Sequence, residues 1–271
     1  MRLFFRTYGD GPPLILLHGL FGASDNWVHI ARALENCFTV YLPDMRNHGR
    51  SPWSPVHTYE AMADDIIDLA ASLKAGRYFI GGHSMGGKVA MYCGVKRPQE
   101  IAGLFVGDIS PFSYPVEGET IEQQLSIIST MMNVDPSRFA DRRELEDHLT
   151  SLAGEKSTRL ILSKNIAFEA GKLRWRLNIS ALYANLDNMR NGFPRPPASV
   201  TGFDDFPVIF LKGSESPYIS ERDLIDIRKL FPGAQLRIAE GAGHWVHTEK
   251  ADDVISALKD LKVLSSGEGC D

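Results

Sequence analysis

The sequence predicts an α/β fold: a mostly parallel sheet flanked by helices, with a helical cap inserted between its two sequence pieces. Three observations predict it. Short apolar runs alternate with helix-period patterns through residues 1–110, the rhythm of parallel strands joined by crossover helices. Those runs are apolar on both faces, as suits strands covered by helices on each side. From about Pro111 to Val200 only helix-period patterns follow one another, and strand-like runs then resume.

Residues 1–10 read as a strand, since no long apolar core leads to a small-residue cleavage site. The run at 14–17 ends at His18-Gly19, and the run at 38–42 is stopped by Pro43. Runs at 78–80 and 104–106 supply two more strands. Thr58 is placed to cap a helix on which Tyr59, Met62, Ile66, Leu69 and Leu73 share one face. Val89, Ala90 and Cys93 continue a helix that opens just after Ser84. Helices are expected at 121–132, 142–152, 159–168 and 179–189, without a buried strand among them. Pro194, Pro196 and Pro197 mark a linker. Strands at 207–211 and 235–238 and helices at 221–230 and 252–261 complete the pattern. Residues 1–110 and 201–265 thus read as one discontinuous domain, 111–200 as its cap, and 266–271 as a frayed polar tail.

Composition narrows the function. A 271-residue chain with 44% apolar residues can bury a sizeable core. The net charge of −5 is well mixed, with no basic run to hold a nucleic-acid backbone. No apolar run reaches the length of a membrane span. Cys37, Cys93 and Cys270 are far apart, odd in number and outside any metal-ligand spacing, so a disulfide framework is not expected and a reducing, cytoplasmic setting fits. Neither metal nor cofactor is expected, for want of a ligand cluster or a phosphate-binding glycine loop.

The stretch Gly82-His83-Ser84-Met85-Gly86-Gly87 follows a short strand and opens a helix, the context that gives a G-x-S-x-G match structural meaning. A serine hydroxyl attacks a carbonyl only when it is exposed, fixed and beside a base. A sharp strand-to-helix turn provides the first two conditions, and glycines on either side avoid the resulting clashes. The loop His18-Gly19-Leu20-Phe21-Gly22 follows an earlier strand and can supply one backbone donor to a developing oxyanion, from Leu20 in preference to Phe21, with Met85 supplying the other. Gly241-Ala242-Gly243-His244 follows the last strand, and an imidazole there is the natural base. His247 competes with His244, although its place near a helix start favours a structural role. His18, His29, His48, His57, His83 and His148 read as packing, capping or surface groups.

With these residues in hand the chain resembles the α/β-hydrolase superfamily, and within it the YbfF-like esterases. The resemblance rests on residues 18–22, Asp44-Met45-Arg46-Asn47-His48-Gly49-Arg50-Ser51-Pro52, residues 82–88, Asp108-Ile109-Ser110-Pro111 and Gly243-His244-Trp245-Val246-His247. It spans nearly the whole chain and is strongest outside the cap. It implies hydrolysis of carboxylic esters, often short acyl esters and acyl thioesters, without a cofactor. The 44–52 stretch resembles a structural loop near the active site. The acid departs from the superfamily's usual pattern. Three residues beyond Gly213, where an aspartate is usual, stands Ser216, and Glu215 is one residue out of phase. Asp108 ends the strand before the cap, at the same sheet edge, and the YbfF-like esterases resemble this arrangement; it is preferred to Glu215 as the acid.

The expected function is therefore a serine hydrolase acting on a small-molecule acyl ester or thioester. C–C bond hydrolysis or perhydrolysis could use the same residues, and a catalytically inactive ligand-binding member of the fold is the reading from another class. Dehalogenases and epoxide hydrolases fit less well, because Ser84 stands where they carry a nucleophilic aspartate. Phe21, Phe112, Tyr114, Trp175, Tyr218 and Trp245 are candidates to line the pocket, although core packing is the commoner role for each taken singly.

Overall fold

The apolar runs become strands whose C-terminal ends share one edge of a sheet. A computed structural model describes residues 1–113, 119–152, 156–193 and 202–270. Its first part holds β1 (Phe5–Tyr8), β2 (Pro13–Leu17), α1 (Val28–Ala33), β3 (Thr39–Pro43), α2 (Tyr59–Ser72), β4 (Tyr78–His83), α3 (Met85–Lys96) and β5 (Ile101–Gly107). The insertion follows, with α4 (Glu119–Asn133), α5 (Arg142–Leu152), α6 (Lys156–Lys164), β6 (Ile166–Glu169), β7 (Lys172–Trp175), α7 (Ile179–Ala184) and α8 (Leu186–Arg190). The chain closes with β8 (Val208–Gly213), α9 (Glu221–Leu230), β9 (Gln235–Ala239), α10 (Val246–Glu249) and α11 (Ala251–Ser266).

Seven strands form one sheet in the order β1-β3-β2-β4-β5-β8-β9, antiparallel only between β1 and β3. Helices cover both faces, so β4 and β5 are buried throughout. On one face Ile15, Ile80, Leu104 and Val106 pack with Met62 and Ile66 of α2, Val89 of α3 and Ile227 of α9. On the other, Leu14, Leu16, Phe105 and Ile209 meet Trp27, Ile30 of α1 and Val254, Leu258 and Leu261 of α11. Thr58 caps α2 as expected, its hydroxyl accepting from the Ala61 amide at 3.3 Å.

The insertion has a separate apolar cluster that includes Ile127, Met131, Leu145, Leu149, Leu162, Leu173, Trp175 and Leu182, and Phe21 from the loop after β2 joins it. It also corrects two expectations. The helix expected over 159–168 ends at Lys164, and Ile166–Glu169 pairs with Lys172–Trp175 as an antiparallel hairpin. Its two turn residues, Ala170 and Gly171, have φ of 51° and 77°, the pair of positive values a tight two-residue hairpin requires. Ile166, Leu173 and Trp175 point into the cluster, so strand spacing is satisfied where helix spacing was read. The single helix expected over 179–189 is likewise broken at Asn185, whose side-chain amide donates to Pro55 O at 2.8 Å and to Ala181 O at 2.9 Å.

The cysteine expectation is also corrected. Cys37 and Cys270 form a disulfide across 233 positions, with Cα atoms 5.1 Å apart. The helix α11 ends on Gly267 in the left-handed conformation, and the turn sends the tail back, where Lys262 Nζ donates to Gly269 O at 3.1 Å. Spacing along the chain carries no trace of that approach, so the tail is tied where fraying was expected. Among the described residues no helix is long and apolar enough to cross a membrane.

Candidate active site

At the end of β4 the chain turns sharply. Ser84 has φ 54° and ψ −121°, a costly conformation for a residue with a side chain, and the half-buried serine stands at the start of α3. Its backbone is held by Ser84 N donating to Gly107 O at 3.0 Å and by Lys88 N donating to Ser84 O at 3.1 Å. The turn needs its glycines: a Cβ on Gly82 would lie 2.4 Å from the Gly86 carbonyl carbon.

Asp108 follows β5, also at positive φ (46°), and is fully buried. Its Oδ1 accepts from Gly213 N at 2.9 Å. Its Oδ2 accepts from the Ser216 hydroxyl and from His244 Nδ1 at 2.7 Å. A carboxylate on Nδ1 fixes the tautomer and leaves Nε2 as the nitrogen able to take a proton. Among the described residues neither His244 Nε2 nor the Ser84 hydroxyl has a hydrogen-bond partner. Glu215, the alternative acid, is exposed on the same loop and engages Ala242 O only through its backbone amide, at 2.9 Å.

The loop that carries His244 is fixed from below. The Glu249 carboxylate accepts from Gly243 N at 2.8 Å and from Trp245 N at 3.2 Å. His83 Nε2 donates to His244 O at 2.6 Å, which ties the histidine loop to the residue before Ser84. The Tyr218 ring lies flat on the imidazole, with centroids 3.6 Å apart and planes 11° from parallel. The loop after β2 completes the site. Phe21 N donates to His48 Nε2 at 3.3 Å, so that amide is already occupied, whereas the Leu20 amide has no hydrogen bond among the described residues. Met85 N stands at the first position of α3, where a helix offers it no acceptor.

Residues 12–251 match the α/β hydrolase fold family. The chain belongs to that family. It is 37% identical to the sn-1-specific diacylglycerol lipase ABHD11 of Danio rerio over 256 residues, 94% of this chain and 79% of the relative. It is 34% identical to esterase YbfF of Escherichia coli (strain K12), covering 92% of each. The solved structure of a marine microorganism esterase superposes with a TM-score of 0.90 at 38% identity, over 96% of this chain and 98% of that one.

Around the site this α/β hydrolase holds a group of neutral imidazoles. Burial lowers the pKa of His18 and His48, carries His83 well below the ordinary value, and brings His57 and His247 down to about 3. His247, the competitor to His244, packs between the His83 and Trp27 rings. His29 and His148 are exposed. The 44–52 loop is structural in its contacts: the Asp44 carboxylate accepts from Ser24 N at 2.6 Å and Arg50 N at 2.9 Å. Lys88, which burial lowers to about 7, donates to Phe112 O at 2.8 Å and Asn191 O at 2.6 Å, and so joins the two chain crossings between sheet and insertion.

Of the candidate lining residues, Tyr218 and Trp245 are half-buried beside His244. Phe112 packs in the sheet core. Phe21 and Trp175 pack in the insertion's cluster, where the Trp175 indole donates to Met131 O and Val134 O, each at 3.0 Å. Tyr114 lies outside the described residues. Sequence reasoning missed the contacts that Ser216 and Tyr218 make with Asp108 and His244. The one signal was Ser216 itself, a small donor in the place where the fold usually keeps its carboxylate.

Proposed function

We propose that this α/β hydrolase cleaves carboxylic esters, as short-chain acyl esters or acyl thioesters, through an acyl-enzyme on Ser84. The observation that carries the reading is the 2.7 Å bond between Asp108 and His244 Nδ1, on loops that flank the strained Ser84 turn. His244 Nε2 takes the proton from the Ser84 hydroxyl as its oxygen attacks the carbonyl. Asp108 orients the ring and stabilises the imidazolium that results. The Leu20 and Met85 amides donate to the oxyanion of the tetrahedral intermediate, a pair of which each member typically contributes about 10²–10³ in kcat. Collapse expels the alcohol or thiol, which receives the proton from His244, and a water molecule then repeats the sequence to release the acid. Bonds between such a serine and its base often tighten only in the complex with substrate. In this reading residues 111–200 form a cap that shapes the acyl pocket. The names of the relatives, an esterase and a diacylglycerol lipase, support ester chemistry.

The test is labelling with a fluorophosphonate, followed by turnover of p-nitrophenyl esters and acyl thioesters of graded length. Ser84 should be the labelled residue, and short esters or thioesters should be turned over without added cofactor. An unlabelled, fully folded protein would turn the reading to an inactive member of the fold. Labelling without turnover of any ester or thioester would turn it to C–C hydrolysis or perhydrolysis.

A further inference from the structure

We infer that Asn165, a residue of the insertion, is a positioning residue for the oxyanion hole: with His48 it fixes Phe21, so docking of the insertion sets the direction of the Leu20 amide. The inference rests on the proposed role of Leu20 as an oxyanion donor. The loop closes as a four-residue turn, with Gly22 N donating to Gly19 O at 3.0 Å. Leu20 and Phe21 are its central residues, and Phe21 has φ 63°. A positive φ at the third position of such a turn favours glycine or asparagine. A phenylalanine holds it only where the surroundings over-determine it.

Three anchors meet at Phe21. Its amide donates to His48 Nε2 at 3.3 Å. Its carbonyl accepts from Asn165 Nδ2 at 2.9 Å. Its ring is buried in the apolar cluster of the insertion. Both polar anchors are themselves fixed. His48 Nδ1 donates to Arg46 O at 2.9 Å, which leaves Nε2 as the acceptor, and burial keeps the ring neutral in that role. Asn165 uses its second N–H on Ile161 O at 2.9 Å, and its own carbonyl accepts from Arg176 N at 2.8 Å. Asn165 is buried at the joint between α6 and β6, so its position is that of the insertion's core.

The peptide groups on both sides of Phe21 are therefore held from two different parts of the molecule. Without either anchor the strained turn can relax through φ and ψ of Leu20 and Phe21, and the preceding Gly19–Leu20 peptide, which carries the Leu20 N–H and whose Gly19 carbonyl closes the turn, shifts with it. An oxyanion donor is useful only when it is aimed beforehand at the position the charged oxygen will take. The insertion thereby does more than roof the site: the hydrogen bond from Asn165 makes one electrostatic element of the chemistry depend on it.

The experiment compares wild type with Asn165→Ala, His48→Phe and His48→Gln, the last able to restore an acceptor through its amide oxygen. Each is assayed for kcat and KM on a p-nitrophenyl ester, for inhibition by a trifluoromethyl ketone, which becomes a charged tetrahedral adduct, and by the product carboxylate, which stays planar. Asn165→Ala and His48→Phe should lower kcat by about 10–100-fold, a fraction of the loss of a donor outright. The trifluoromethyl ketone should weaken by a similar factor, while KM and carboxylate binding change less than about 3-fold. His48→Gln should recover most of kcat. Equal weakening of ketone and carboxylate, or a loss of kcat without any weakening of the ketone, would reduce Asn165 to a structural role and overturn the inference. Wild-type constants in Asn165→Ala would overturn it as well. If Asn165→Ala does not fold, the His48→Phe and His48→Gln pair decides by the same criteria. If wild type itself is not labelled at Ser84 by a fluorophosphonate, the functional reading fails first, and the two failures are told apart.

Discussion

Ser216 donates its hydroxyl to the same Asp108 oxygen that accepts from His244. The loop after β8, where the fold usually carries its acid, is thus still in contact with the carboxylate, although the carboxylate itself comes from the end of β5. Together with the Gly213 amide on the other oxygen, this gives a fully buried Asp108 three hydrogen-bond donors.

In the proposed mechanism Asp108 orients His244, so its replacement should be severe. Asp108→Asn keeps the volume but favours the wrong histidine tautomer, and kcat should fall by about 10⁴. Glu215→Gln should stay within about 3-fold of wild type, because its carboxylate is exposed and its contact with the loop is through the backbone. Ser216→Ala removes a donor to the buried Asp108 side chain and should lower kcat by about 10-fold. Steady-state kinetics on one ester check all three. A near-wild-type Asp108→Asn beside a crippled Glu215→Gln would transfer the role to Glu215.

Ser84→Ala should abolish acyl transfer, with a loss on the order of 10⁴–10⁶ in kcat, and leave the thermal midpoint within a few degrees of wild type. The side chain is half-buried and without a hydrogen-bond partner among the described residues, so little stability depends on it. Turnover equal to wild type would remove the nucleophile assignment.

Much of this was legible because burial and strain leave marks on sequence. Parallel strands such as Tyr78–His83 and Ile101–Gly107 are covered on both faces and so read as unbroken apolar runs. The Ser84 turn requires glycines at fixed offsets, Asp108 directly follows β5, and His244 lies on the loop after β9. What could not be read depends on approach in space. The Cys37–Cys270 bridge joins residues 233 positions apart, and Asn165 reaches Phe21 across 144. The β6–β7 hairpin escaped because its short strands also allow helical spacing and the turn opens with Ala170, a residue that seldom takes positive φ.

The buried imidazoles make acid stability a test of the packing. In the unfolded chain a histidine takes up its proton near pH 6.5, whereas in the fold His57 and His247 hold out to about 3, and His18, His48 and His83 are lowered also. Each folded pKa lies below the unfolded one, so the unfolded state binds more protons as the pH falls. Their contribution is present above about pH 6.5 and is lost progressively below it, at up to ~1.4 kcal/mol per pH unit for each histidine. Urea unfolding at pH 7.5, 6.0 and 5.0 should show a steep fall. His57→Phe should reduce the slope by about one proton, since Nε2 of that ring is buried without a hydrogen-bond partner among the described residues. Equal urea midpoints at all three pH values would mean that these rings are not held neutral.

The contact between Ser216 and Asp108 also predicts a rescue. Both side chains reach the point from which His244 Nδ1 is held, so a carboxylate placed at 216 should be able to accept from the same nitrogen. Asp108→Asn combined with Ser216→Asp should recover about 10²-fold of the 10⁴ lost in Asp108→Asn alone. Asparagine is the suitable partner at 108, because it tolerates the positive φ there and its side-chain amide can donate to the new carboxylate. Recovery should be partial, since the hydrogen bond from Gly213 N was built for an oxygen arriving from β5. Ser216→Asp alone should do the opposite. Two buried carboxylates cannot both ionise at that distance, so one takes up a proton or is expelled, and activity falls. The four proteins, assayed for kcat on one ester at one pH, form a double-mutant cycle in which the second change is harmful alone and helpful in combination. If Ser216→Asp impairs Asp108→Asn as much as it impairs wild type, the carboxylate at 216 does not reach the histidine, and the two loops are not interchangeable sources of the acid.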